Sequence, residues 1–306
     1  MNTPFRIDGA VLLSHWGVIR ARGADATKFL QSQLTNDVSA LGSGEARLAG
    51  FCSAKGRLQA SFIVWTSGAD EVLLACAASV LPATLKRLSM FVLRAQCKLS
   101  DATAEVPLWG VAGPSAQRLV GHLPVWGKRD DAPGALIRLP AAADFERCIV
   151  AAPPSQEAPA ALSMPLDSWR WLEVSSGIPL IEAATVDQFV PQMLNFEILG
   201  GVDFQKGCYP GQEIVARSQY RGTVKRRMFL FDCAALAAAG QEVFHSADPG
   251  QPAGMVVNAA PGPQGGSSAL IETKLVALEG GELHLGSADG AVLRSRELPY
   301  AVTQAA

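Results

Sequence analysis

A chain of 306 residues is about twice the usual single-domain length, so two or three domains in extensive contact are expected. Hydrophobic residues make up 49% of it and charged residues 18%, and the formal net charge is −2. No apolar run approaches the roughly 18 residues of a membrane span, which argues against a membrane protein, and the charge argues against nonspecific nucleic-acid binding by the whole molecule.

The opening stretch, MNTPFRIDGAVLLSHWGVIR, has only a short apolar segment, Ala10 to Leu13, with Asp8 just before it. No signal peptide is expected, and the expected location is cytoplasmic. Residues 17 to 23 alternate as a strand does. Asp25 then stands where a helix cap belongs, followed by Ala26, Phe29, Leu30 and Leu34 at helical spacing, with Asn36 and Asp37 at the helix end. AKGRLQASFIVW and DEVLLACA, separated by TSGA, predict a hairpin between residues 57 and 76. A helix follows, with Ser79 as its cap, Pro82 in the tolerated first turn, and Leu85, Leu88 and Val92 as its apolar stripe. VPLWGVAGPSAQRLVGHL is a second strand-to-helix step. The segments 151 to 165 and 259 to 268 are rich in Pro, Ala or Gly and predict surface connections. After about residue 222 the chain turns to short β-prone runs punctuated by Gly, Pro and Asp, a pattern that predicts a β-barrel or sandwich. The whole reads as α+β.

Six cysteines (Cys52, Cys76, Cys97, Cys148, Cys208 and Cys233) are scattered without a CxxC or Cys/His cluster. Neither a disulfide framework nor a stably bound metal is expected. Five of them sit among apolar residues, where a free thiol behaves as a small buried hydrophobe. Cys208 is different. In GGVDFQKGCYPGQEIVARSQYRG, residues 200 to 222, it is flanked by Gly207 and Gly211, with Lys206 two residues away. A neighbouring cation favours the thiolate, so Cys208 and Lys206 are the candidate reactive pair, in a nucleophile, redox or cluster-ligand role. The alternative is a small residue in a tight turn.

From Ile214 to Phe231 there are five cations, Arg217, Arg221, Lys225, Arg226 and Arg227, and no carboxylate before Phe231. They suit a folate glutamate tail or a nucleic-acid backbone, or form a solvated face. Arg57, in CSAKGRLQ, belongs either to a ligand-facing loop or to an ordinary turn. Gln192 and Asn195 either bond a heterocycle edge or cap a short helix.

KGCYPGQE, 206 to 213, resembles the signature of the YgfZ family of folate-binding proteins, which includes mitochondrial iron–sulfur assembly factors and is similar in fold to the glycine-cleavage T-protein. GADATKFLQSQLTNDV, AKGRLQASF, SGIPLI, FVPQMLNFEILGGVDF and VARSQYRGTVKRR resemble family segments in the same order. The resemblance implies two intertwined α+β subdomains around a central, folate-sized cavity over residues 1–221, the inner one about 46–105, and a C-terminal β-barrel over 222–306. It also implies binding of tetrahydrofolate or a derivative and support of [4Fe-4S] enzymes, including those that modify tRNA. The expected partners are iron–sulfur client or assembly proteins, with a transient tRNA contact and no membrane. The folate contacts expected on this basis are Gly207, Tyr209, Gly211, Gln212, Glu213, Arg217, Tyr220, Arg221, Lys225, Arg226, Asn36, Asp37, Arg57 and Gln192.

One departure separates this chain from the aminomethyltransferases. The run whose glutamate holds the pterin in a T-protein is matched here by EVSSG, 173 to 177, with Ser175 at the glutamate position and Glu173 two residues away. If that stretch is extended, Glu173 stands about 6 to 7 Å from the required place. Aminomethyl transfer is therefore the alternative reading, and a tRNA-binding accessory using residues 217 to 227 a third.

Overall fold

The structure, a computed structural model, describes residues 6–131, 134–155, 157–220 and 224–302. β1 (Gly9–Leu12), β2 (Trp16–Arg22) and α1 (Ala26–Gln31) open the chain, followed by β3 (Ala46–Cys52), β4 (Leu58–Thr66), β5 (Glu71–Ala77), α2 (Leu81–Ser89) and β6 (Lys98–Asp101). Next come β7 (Leu108–Ala112), α3 (Gly113–Val120), β8 (Lys128–Asp131), β9 (Gly134–Ala142), β10 (Phe145–Ala151), α4 (Leu166–Ser175) and α5 (Gln212–Tyr220). The last six strands are β11 (Arg226–Cys233), β12 (Glu242–His245), β13 (Asp248–Pro261), β14 (Ser267–Lys274), β15 (Leu283–Leu285) and β16 (Val292–Arg296).

One five-stranded sheet has the order β1-β7-β10-β9-β8 and the other β3-β4-β5-β2-β6. The chain begins in the first sheet, leaves it to build the second, and returns, so the two units interleave. The inner unit, expected over about 46–105, also takes in β2, which pairs with β5 from Trp16↔Ala77 to Arg22↔Glu71. β4 and β5 are buried along nearly their whole length, which is why LQASFIVWT and EVLLACA read as continuous apolar runs rather than alternating ones. The six C-terminal strands close into a barrel, sealed by β11 against β16 from Leu230↔Arg296 to Cys233↔Leu293. Closure leaves no open sheet edge there.

The largest apolar cluster joins both sheets, α4 and the near side of the barrel, with Trp16, Phe62, Trp169 and Phe196 among its members. Gly110, in the middle of β7, lets α4 approach: a Cβ there would stand 2.6 Å from the Trp169 ring. On the opposite face of the same sheet, α3 covers Val111, Leu136 and Cys148.

Three local expectations change, and one helix is added. Asp25 does not cap its own helix; its carboxylate accepts the Gln96 N–H at 2.7 Å, because the chain returns there after α2. The Ser79 hydroxyl oxygen likewise accepts the Ala183 N–H instead of capping α2. Residues 173 to 175 end a helix rather than run extended, and residues 212 to 220 form a helix before the barrel begins.

Candidate functional site

Cys208 is exposed, Cys97 is half-buried, and the other four cysteines are buried, all six with free thiols. Burial pushes the Cys52, Cys76 and Cys148 thiols up to about 12. The loop carrying Cys208 is fixed from both sides. On one side Lys206 turns inward, and its Nζ donates to the carbonyls of Gln31 and Leu34, each at 2.5 Å, while lying 5.2 Å from the Tyr209 ring centroid. It thus satisfies carbonyls that the end of α1 leaves unpaired, a cation at the negative end of the helix. Burial pulls its ammonium down to about 8. The expected pairing of Lys206 with the thiol is replaced by this contact, because two carbonyl acceptors at a helix end hold a buried ammonium better than a thiol in water. On the other side, Gly211 adopts φ 79° against the turn that carries Lys55 and Arg57.

Several expected folate contacts prove to be internal ties. Asn36 donates to the carbonyls of Leu48 (2.6 Å) and Gly200 (2.7 Å). The Asp37 carboxyl, held below its usual range first by the Ser39 hydroxyl, anchors its own turn. Arg57 bonds the Gln188 carbonyl, and Gln192 donates to the Val215 carbonyl at 2.8 Å. Tyr209 is buried, its hydroxyl pushed up by burial. Gln212 and Glu213 begin α5, on which only Val215 is buried and Arg217 and Tyr220 face solvent.

The cationic run does not converge on one surface. Arg226 pairs with Glu272, and Arg227 is buried against Glu197 and the Gln192 carbonyl. Lys225 is exposed, and Arg221 lies outside the described residues.

The polar interior lies elsewhere, between the two sheets. A chamber of about 40 Å³ is lined by Trp16, Trp126, Trp169, Arg147, Glu173 and Leu180, among others. That is room for a few waters rather than the folate-sized cavity expected, because three indoles occupy the gap between the sheets. Glu173 projects from α4 into this wall. Its Oε1 accepts from the indoles of Trp16 and Trp169, each at 2.7 Å, and its Oε2 pairs with His15 Nε2 at 2.8 Å. Burial pushes the carboxyl up, but His15 and the two indoles outweigh that and hold it below the usual range. Arg147, on β10, is buried, donates from Nε to the Pro140 carbonyl at 2.8 Å, and lies 5.9 Å from the Trp169 ring centroid.

A cleft of about 320 Å³ adjoins the chamber on the barrel side, sharing Glu173, Ile178 and Leu180 with it. His15, Arg170, Glu182 and Asn258 line it, and the buried His15 Nδ1 has no partner among the described residues. Burial raises the Glu182 carboxyl. None of the expected folate contacts among the described residues lines the chamber or the cleft.

Arg147, His15, Arg170 and Glu182 were not legible as site residues. Glu173 was set aside because EVSSG was placed in a strand. On a helix, residues two apart point about 200° away from each other, so Glu173 faces the chamber while Ser175 does not stand in for it. The signal available was the run DSWRWLEV, whose Trp169 and Glu173 share a helix face at i, i+4.

Residues 9–129 match the family model of the GCVT N-terminal domain. The tRNA-modifying protein YgfZ of Photorhabdus laumondii is 32% identical over 229 residues, covering 72% of this chain and 69% of that protein. Its namesake from Edwardsiella ictaluri is 34% identical over 234 residues, covering 71% and 69%. The crystal structure of glycine cleavage system aminomethyltransferase T from Bartonella henselae superposes with a TM-score of 0.74 at 17% identity, over 97% of this chain and 87% of that one. The interleaved sheets and closed barrel are thus the T-protein fold, and with a third of its residues shared over more than two thirds of both chains, this protein belongs to the YgfZ family.

Proposed function

We propose that this protein is a reduced-folate-binding accessory to tRNA modification, which supports [4Fe-4S] enzymes through the Cys208 thiol. The observation that carries the reading is the presentation of Cys208: an exposed thiol on a loop pinned through Lys206 to α1 and through Gly211 to the Gly56 turn. A merely structural cysteine does not need two anchors to hold it in solvent. Six unpaired thiols also suit a reducing cytoplasm. Among the described residues no group of three His, Cys, Asp or Glu side chains forms a metal site, so a cluster handled at Cys208 takes its other ligands from a client or assembly protein.

The cleft and chamber fit part of a folate. At about 320 Å³ the cleft falls at the small end of ligand sites and admits a ring system, and the chamber admits one edge of it. Arg170 stands where an anionic group meets a guanidinium, Glu182 offers a carboxyl, and His15 Nδ1 offers an unfilled hydrogen-bonding position. A bound reduced folate supplies one-carbon chemistry at its N5 and N10 atoms. The chain's own part is to hold the ring, exclude water with its indoles and fix the ring's orientation.

The deciding experiment is the activity of a [4Fe-4S] tRNA-modifying enzyme in cells lacking this protein, complemented with wild type or Cys208→Ala at matched levels. Restoration by wild type alone supports the reading. Full restoration by the variant removes the thiol from it, and failure of both removes the accessory role. One observation favours aminomethyl transfer as a second reading: Glu173 does place a carboxylate in the chamber wall. Its oxygens already accept from three donors, which leaves a single position for a ring N–H, and turnover of an aminomethyl-lipoyl carrier is the direct test.

A further inference from the structure

Arg147 is the most unusual charge in the molecule. It is 2% exposed, and among the described residues it pairs with no carboxylate and bonds only through Nε, to the Pro140 carbonyl. Its two terminal nitrogens, four N–H donors, have no hydrogen-bond partner among the described residues, and the side chain lines the chamber. A buried guanidinium is stable when its donors are satisfied, and each donor left open costs free energy. Burial accordingly pulls it down to about 10, with the nearby Glu173 acting the other way. Its neighbours do not fill the gap: Trp169 offers a ring face, Ile149, Leu139 and Phe62 are apolar, and the Ser61 and Ser176 hydroxyls are taken up by backbone groups.

The chamber therefore lacks an acceptor, and its charge balance says of which kind. Arg147 contributes one positive charge and Glu173 one negative charge to the same wall, so a full anion entering there meets Glu173 as well as Arg147. A neutral carbonyl oxygen takes two guanidinium N–H donors without that penalty. Its ring neighbour, if an N–H, meets the remaining lone pair of Glu173 Oε2, which has a single partner in His15, whereas Oε1 already has two. The chamber thus matches the –CO–NH– edge of a lactam heterocycle.

We infer that Arg147 is a specificity-determining residue that binds the ring oxo group of the ligand, so that the site selects oxo-bearing over amino-bearing heterocycles. The assignment rests on the folate reading above and specifies which edge of the ring is recognised. Replacing the oxo group by an amino group puts donors, and in the protonated ring a positive charge, against the Arg147 donors. A site built around a hydrogen bond rejects the analogue that cannot make it far more strongly than an apolar pocket rejects a size mismatch.

Folic acid and aminopterin differ only by oxo and amino at ring position 4, and both are soluble probes for calorimetry or for quenching of tryptophan fluorescence. Wild type is expected to bind folic acid at least about a hundredfold more tightly than aminopterin. In Arg147→Met the ratio falls to within about threefold, and Arg147→Gln, which keeps a donor, retains part of it. Because Arg147 carries open donors, Arg147→Met is expected to remain folded, and thermal unfolding of both variants checks this. Equal binding of the two compounds by wild type, or an unchanged ratio in Arg147→Met, overturns the assignment while leaving folate binding standing. Binding of neither compound overturns this assignment, and absence of tetrahydrofolate binding in the same assay overturns the folate reading with it.

Discussion

A Cβ on Gly211 would stand 2.6 Å from the Cα of Gly56 and 2.4 Å from the carbonyl oxygen of Ser53. The two glycines bring the signature loop and the β3–β4 turn into backbone contact, and both adopt positive φ, 79° and 70°. Gly211→Ala adds a left-handed strain and a clash with backbone, which has little freedom to move. The expected cost is on the order of 2–3 kcal/mol in urea unfolding. Gly207→Ala is the control: nothing lies within 4 Å of the added carbon, and the cost is expected to stay within about 0.5 kcal/mol. Equal costs at the two positions would contradict the packing.

Thiol reactivity separates Cys208 from the rest. At pH 8 a disulfide reagent such as Ellman's is expected to modify one thiol rapidly, Cys97 more slowly, and Cys52, Cys76, Cys148 and Cys233 only on unfolding, since all four are buried. Cys208→Ser removes the fast phase. The thiols of Cys52, Cys76 and Cys148, at about 12 in the fold, sit above their unfolded value of about 8.5. Their protonated form is the native one, so the stability it confers is complete below about pH 8.5 and is lost as pH rises toward 12.

Lys206 behaves in the opposite sense. Its ammonium falls from 10.5 to about 8 on folding, so between those values the unfolded chain holds the proton and the native one does not. Its contribution to stability therefore rises with pH over that window. The cysteines titrate in the same range, so the quantity to measure is the difference between wild type and Lys206→Met as pH goes from 7.5 to 10.5. The wild type is expected to gain on the variant. A constant difference would mean that the ammonium is not desolvated against the carbonyls of α1.

How much of this was legible in the sequence divides along one line: local pattern against long-range contact. The β4–β5 hairpin, the Pro82 helix and the C-terminal barrel depend on runs and turn residues that are contiguous, and each was readable. Lys206 was misread because Cys208 is two residues away in sequence, whereas the carbonyls it bonds are at Gln31 and Leu34. Arg226 and Arg227 looked like one basic run, but alternation along β11 and partners at Glu272 and Glu197 turn them into internal ties. Arg147 sits in FERCIVA, an ordinary strand, and only the opposing sheet and α4 bury it without a carboxylate partner among the described residues. Glu173 depended on one assignment, helix or strand, over five residues.

Glu173 supplies the last prediction, because its carboxylate ties β2, α4 and His15 together at the chamber wall. In Glu173→Gln one oxygen becomes an NH2 group, which faces donors instead of accepting from them. Either one indole loses its acceptor or His15 must move its proton to Nδ1 and accept from the NH2, and in both cases the charge that strengthens all three bonds is gone. Losing charge-assisted bonds at a buried site is expected to cost about 2–4 kcal/mol at pH 7. The carboxyl is lower in the fold than its ordinary value, so its contribution is present above about pH 4.3 and disappears as pH falls through the folded value. Urea unfolding at pH 7 and again in the acid range is expected to show the gap between wild type and Glu173→Gln closing as the carboxylate is protonated. If the gap keeps its size in acid, the carboxylate charge is not what holds the indoles, and Glu173 contributes through packing alone.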